Sequence, residues 1–367
     1  MNIHKFKKIF VYPYNFQFTP LLRHLISNGT DFVLMSPKSW GLCGRDASFA
    51  DGGVPVGLTV VDSFDDYSQF DCLIVPEYCH DAETDMHVKE IIDSFIQRSI
   101  EIFYLGSSNE TIDVEKSNYR KLHCFFDYDI EIHNETTETA FLPIELPVVT
   151  ICGLLPDINK FDVQISINRY FTQNGYKTLC ITSKKYAELF DMISYPKFIF
   201  DEYLSLNKKI ILLNNYVRKL SDSGEYDIII VEVPNGIIPY SPGLSNNYGE
   251  LASAIFNAVK SDFNCLCLPC AVVNQDYIDY LRNIMRYRFD VPSDCFFLSN
   301  RNINTKPYGD ASKLESIVYT LNVFLKKLEK VKWNCKSTYI ISAADLENGS
   351  FAKYILSSFG VENEEQI

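Results

Sequence analysis

Short apolar runs alternate with amphipathic stretches along almost the whole chain, and this alternation is the feature that most restricts its fold. Residues 8–13, 31–37, 71–76 and 101–106 read as strands, and 19–27 and 84–96 as helices between them. Parallel strands buried on both faces are continuously apolar, and joining two of them requires a crossover, so the pattern predicts β-α units around a mainly parallel sheet. In the helix of 84–96, Val88, Ile91, Ile92, Phe95 and Ile96 keep a 3.6-residue period, with Thr84 as the expected cap. A short strand is expected at 59–62, a helix near 112–122 and a β-rich piece through Ile132.

The chain then turns polar, with Asn, Glu and Thr in 134–139 and prolines at 143 and 147, which is linker composition. Alternation restarts at 148. Strands are expected at 148–152, 177–182, 226–233, 263–268, 295–299 and 337–342, and helices at 161–174, 250–260, 275–288 and 345–358. Ser312 and Glu315 form an S-x-x-E capping box before the apolar positions Leu314, Ile317, Val318, Leu321, Leu325 and Leu328. With 367 residues this gives two Rossmann-like three-layer α/β domains, 1–132 and 148–367, joined by a linker at 133–147.

Composition narrows the function classes. The formal charge of −13 and the lack of a long Lys/Arg cluster argue against nucleic acid or an anionic membrane as partner. No apolar stretch reaches the ~18 residues of a membrane span, and the apolar run after Lys8 is broken at Pro13, too short for a signal-peptide core. A cytoplasmic location follows as the expectation, with the 11 cysteines as free thiols. The composition leaves a homodimer open.

The segment 148–182 has the frame of a P-loop: buried strand, loop, helix, strand. Such a loop uses glycines so that backbone amides reach phosphate, a Lys to neutralise it, and a Ser or Thr for magnesium. Set against the G-x-x-x-x-x-G-K-T form, the second half resembles a degenerate dethiobiotin-synthetase-like P-loop domain. Gly153 and Lys160 match, Asn159 replaces the Gly before Lys, and Phe161 replaces the magnesium-binding hydroxyl. In that resemblance Glu232, in the run DIIIVEVPNG, stands at the acidic strand end beside the phosphates, and Asn300 at a strand end near the base. Phe cannot hold magnesium and Asp157 places an anion near the phosphate position, so hydrolysis is not expected. ATP or GTP with magnesium stay open as ligands.

The first half offers a different candidate. The loop 36–53, SPKSWGLCGRDASFADGG, follows a strand at the edge where open α/β sheets bind ligands. Lys38, Trp40, Gly41, Cys43, Gly44, Arg45, Asp46 and Asp51 combine a permissive backbone with an indole, a thiol, cations and carboxylates. One reading is a recognition loop for a peptide or small molecule, with Arg45 or Lys38 meeting a carboxylate or phosphate and Trp40 stacking. The other is a covering Ω-type loop in which Arg45 and Asp46 are solvated.

Cysteine and histidine add little. Cys265, Cys267 and Cys270 form C-x-C-x-x-C, but no second pair completes a ligand set and a buried strand explains them. His80 and His87 lie near Asp81, Glu83 and Asp85 without a zinc-site spacing, so no metal site is expected. There is no G-x-S-x-G elbow.

The segments Tyr12-Pro13-Tyr14, 36–47, Val75-Pro76-Glu77-Tyr78, Cys152-Gly153 and Val231-Glu232-Val233-Pro234 resemble the clostridial family of peptide maturation system proteins. The resemblance covers nearly the whole chain. It implies natural-product biosynthesis, of which bacteriocins are the familiar products: an accessory protein acting beside radical-SAM-type modifying enzymes, an acyl-carrier-like protein and a small precursor peptide. It assigns no reaction and no site residues. The C-x-x-x-C-x-x-C motif of radical-SAM enzymes is absent from the sequence. The expected function is therefore an accessory or scaffold that binds a peptide or partner enzyme without nucleotide turnover. The alternative is an ATP-dependent ligase or activating enzyme, or a nucleotide-binding sensor.

Overall fold

The computed structural model describes residues 3–26, 29–106, 119–125, 140–241, 244–270, 273–303, 316–335 and 338–360. The chain divides into two compact units, Met1–Tyr128 with Lys185–Asp191, and Asp129–Lys184 with Met192–Ile367. Both are α/β with parallel main sheets, the Rossmann-like architecture that the alternation predicts. Of the expected linker, 140–147 belongs to the second unit and 133–139 lies outside the described residues.

The first unit runs β1 (Lys8–Val11), α1 (Thr19–Ile26), β2 (Asp31–Leu34), β3 (Cys72–Val75), α2 (Ala82–Gln97), β4 (Glu101–Tyr104) and β5 (Leu122–Cys124). Its five strands are all parallel in the order β2-β1-β3-β4-β5. Phe10, Leu73, Val75, Val88, Ile92 and Phe95 pack in one core, so the periodic face of α2 is the face that covers the sheet. The cap of α2 is Asp81, not Thr84: its carboxylate accepts from the Thr84 amide at 2.9 Å and from the Thr84 hydroxyl at 2.7 Å. Residues 59–62 form only isolated bridges, Val61 to Met35 and Thr59 to Asp46. Most of the helix expected near 112–122 lies outside the described residues, and Leu122 is in strand β5.

The second unit runs β6 (Val148–Gly153), α3 (Lys160–Gln173), β7 (Thr178–Thr182), β8 (Ile193–Ser194), α4 (Leu206–Ser221), β9 (Ile228–Glu232), α5 (Glu250–Ala258), β10 (Phe263–Pro269), α6 (Gln275–Ile284), β11 (Cys295–Ser299), β12 (Arg301–Ile303), β13 (Ser316–Val318), α7 (Leu321–Asn334), β14 (Ile340–Ile341), α8 (Ala343–Glu347) and α9 (Ser350–Ser358). The seven-stranded sheet has the order β14-β11-β10-β6-β9-β7-β8. β6 and β9 are therefore neighbours, with Ile151 opposite Glu232, and the loop after β6 opens beside the acidic end of β9. Every residue of β6, β9, β10 and β11 is buried, as strands covered on both faces must be.

Two C-terminal expectations are corrected. Ile317 and Val318 pair with β12 in an antiparallel ribbon, and α7 starts at Leu321 after Thr320; Ser312 and Glu315 lie outside the described residues. The helix expected at 345–358 is two helices, interrupted at Gly349, which sits at φ +71°.

Candidate functional site

β6 ends at Gly153 and α3 begins at Lys160, so the P-loop frame is present as strand, loop and helix. A Cβ at Gly153 would lie 2.6 Å from Ile158 Cγ2 and 3.3 Å from Lys160 Cδ, which is why only Gly fits. Asn159 is at φ +59°, the left-handed region that Asn tolerates best after Gly, so this replacement keeps the loop geometry. Its Oδ1 accepts a hydrogen bond from the Ser299 hydroxyl at the end of β11. Leu154, Leu155 and Ile158 are buried, so the loop is lined with apolar side chains.

Lys160 is 2% exposed, and its ammonium donates to the carbonyls of Val233 at 2.9 Å and Asn235 at 2.5 Å. Burial lowers its pKa, and Glu232 works against that shift. Glu232, 4% exposed, accepts at Oε2 from the Thr182 hydroxyl at 2.7 Å, the Ser183 amide at 3.0 Å and the Ser183 hydroxyl at 2.9 Å. Burial opposes its ionisation, but Lys160 and these donors outweigh burial and hold the carboxyl below its ordinary value. Phe161, where a magnesium-binding hydroxyl would stand, is buried. Among the described residues the amides of Ile158, Asn159 and Lys160 donate no hydrogen bond to the protein.

Asn300 follows Ser299 at the end of β11, and its Nδ2 donates to the Tyr319 carbonyl at 3.3 Å, tying that strand end to the segment before α7. The residues that complete the site are ones the sequence reading missed, namely Ile158, Thr182, Ser183, Ser299 and Asn246. Asn246 Nδ2 donates to Leu154 O at 3.0 Å and Ile238 O at 2.7 Å, clamping the first residue of the loop.

In the first unit the loop 36–53 is held by bonds within it and to Arg23 and residues 56–62. Lys38, exposed, pairs with Asp62 at 2.9 Å. Trp40 packs half-buried against the core, and Gly41 at φ +68° ends its short helix. Cys43 Sγ donates to Ser36 O at 3.3 Å, and the Gly44 amide to Val60 O at 2.8 Å. The Arg45 guanidinium lies 3.9 Å from the Phe49 ring centroid. Asp46 accepts from the amides of Ser48, Val56 and Gly57 at 2.9, 3.0 and 2.7 Å, so it organises the loop and is not merely solvated. Asp51 is buried and paired with Arg23 at 3.2 Å.

The thiols of Cys265, Cys267 and Cys270 are buried in and just after β10. Among the described residues no group of three or more His, Cys, Asp or Glu side chains is placed to hold a metal ion, and no helix is long and apolar enough to cross a membrane.

No family model matches the chain, and no curated protein matches it. It is similar in fold to the crystal structure of a DUF1611 family protein from Anabaena variabilis, with a TM-score of 0.59 at 10% identity, over 96% of this chain and 98% of that one. At that identity the likeness shows the fold alone.

Proposed function

We propose that this chain is a non-catalytic accessory protein of a ribosomal-peptide maturation system, acting in the cytoplasm and holding a peptide or a modifying enzyme rather than turning over a nucleotide. The observation that carries the absence of turnover is the engagement of Lys160: its ammonium is buried and spent on two backbone carbonyls. Glu232 already accepts three hydrogen bonds, and Phe161 supplies no magnesium ligand, so three parts of a phosphoryl-transfer site are assigned to structure. The peptide context is supported by the sequence resemblance.

A second reading, a nucleotide sensor or ATP-dependent enzyme, is favoured by one observation. Among the described residues the amides of Ile158, Asn159 and Lys160 donate to no protein acceptor, as the donors of a phosphate cradle would. One experiment separates the two readings. The chain, co-expressed with the precursor peptide and modifying enzymes encoded beside it, should co-purify with at least one of them and release no phosphate from ATP or GTP with magnesium. Phosphate release that is lost in Lys160→Ala would overturn the accessory reading.

A further inference from the structure

The second unit has a cavity of about 620 Å³ at the end of α6, on the size scale of small-molecule sites. The chain does not leave the helix at Ile284 but passes into a π-helical turn, Met285–Phe289, beyond which the Val291 amide donates to the Met285 carbonyl at 3.2 Å. Asp290 caps that turn at φ +54°, and the buried Val291 anchors the exit. Asp279, Arg282, Arg286, Asp290 and Ser293 all line the cavity.

Arg286 and Asp290 are the unusual pair. On an α-helix a cation and an anion four residues apart are neighbours and pair. Here the π-helical turn lies between them and they form no ion pair; among the described residues neither side chain has a hydrogen-bond or salt-bridge partner. The Arg286 guanidinium has only the exposed Tyr287 ring, its centroid 5.6 Å away. The other two charges of the cavity are committed: Arg282 Nη1 donates to Asp279 Oδ1 at 3.4 Å, and Gln275 Nε2 donates to the same oxygen at 2.9 Å. One cation and one anion therefore line the cavity uncommitted. The Ser293 hydroxyl adds a further polar group, shielded from water and without a hydrogen-bond partner among the described residues, a state that is costly unless something takes the bond.

We propose that this cavity binds a free dipeptide as a zwitterion. Arg286, with Arg282 behind it, takes the carboxylate, Asp290 takes the terminal ammonium, and the Ser293 hydroxyl, turned about χ1, donates to the peptide carbonyl. A simple anion would meet the uncommitted Asp290 and a simple cation the uncommitted Arg286, so only a molecule with both charges satisfies the two. The spacing sets the length: four residues of helix advance roughly 6 Å and an extended dipeptide spans about 7 Å, whereas an amino acid carries both charges on one carbon. The site does not depend on the maturation reading above, and its failure would leave that reading standing.

The test is calorimetry of the full chain with alanyl-alanine, its N-acetyl form, its C-terminal amide, and alanine. Alanyl-alanine should bind one-to-one, and each of the other three about tenfold more weakly, the loss expected for one charged hydrogen bond. Arg286→Gln should abolish the preference for the free carboxylate over the amide and keep the preference for the free ammonium. Asp290→Asn, which suits the left-handed backbone there, should do the reverse. Lys353→Gln, a charge change at an exposed position on α9, should leave both preferences intact. No saturable binding of alanyl-alanine up to about 10 mM, equal binding of a blocked form or of alanine, or preferences that survive in Arg286→Gln and Asp290→Asn would overturn the proposal.

Discussion

Glu232 and Thr182 meet across the adjacent strands β9 and β7, the threonine hydroxyl donating to the carboxylate at 2.7 Å. The bond ends a buried polar chain that runs from Thr182 and Ser183 through Glu232 toward Lys160. Removing the acceptor leaves two hydroxyls and an amide without it, and the Lys160 ammonium without the negative charge nearby. Glu232→Ala should cost about 3–5 kcal/mol, the range for breaking a buried charge pair. Glu232→Gln keeps the shape and one carbonyl acceptor and should cost about 1–3 kcal/mol. Urea unfolding of the two variants checks the order; equal losses would mean that the charge contributes nothing.

Lys160→Met tests the other end. It preserves the side chain's length but strands the Glu232 charge in the interior, so it should destabilise by about 3 kcal/mol. In Lys160→Met with Glu232→Gln no uncompensated charge remains. The double variant should then lose less than the summed single losses, by about 0.5–3 kcal/mol. Strict additivity in the unfolding midpoints would show that the two groups do not interact.

The frame of this site was legible in the sequence; its filling was not. Gly153, Lys160 and Glu232 sit at a strand end, a helix start and a neighbouring strand end, positions that hydrophobic patterning locates. The contacts that decide the chemistry are long-range. Ser299 reaches Asn159 across 140 positions and Asn246 reaches Leu154 across 92, and such side-chain pairs leave no local signature. The same limit explains the cap of α2. Thr84 and Asp81 are both good cap residues, and only the fold shows that Thr84 is the donor and Asp81 the acceptor. The strand assignment of Ile317 and Val318 was hidden because their spacing also fits a helix, and the antiparallel partner β12 outweighs that local preference.

Asp46 makes the loop 36–53 sensitive to acid. Burial would raise its pKa, but the hydrogen bonds from Ser48, Val56 and Gly57 outweigh burial and hold it at about 2, below the usual 3.8. A carboxyl depressed in the folded state stabilises fully above its unfolded value, and that contribution disappears as pH falls from about 4 through about 2. Wild type should lose stability over this window, and Asp46→Ala, already lower by about 1–2 kcal/mol at neutral pH, should lose less of it. Thermal melts of both proteins between pH 6 and pH 2 measure the difference. Parallel curves would show that Asp46 does not titrate as the geometry requires.

The turn before α5 places four consecutive residues, Asn246, Asn247, Tyr248 and Gly249, at positive φ of 49°, 45°, 52° and 71°. L-residues avoid such runs, at about 1–2 kcal/mol each, so the turn is held by its surroundings. The tightest of these is at Gly249, where a Cβ would lie 2.0 Å from the Ile237 carbonyl oxygen. Ile237 in turn donates its amide to Gly153 O at 3.0 Å, which couples this turn to the end of β6. Gly249→Ala therefore combines strain with a backbone clash and should destabilise by more than about 1 kcal/mol. Because the clash pushes on Ile237, hydrogen exchange at the Ile237 amide should accelerate in the variant more than at amides of α4. Uniform acceleration would show that the turn and the loop after β6 are not coupled.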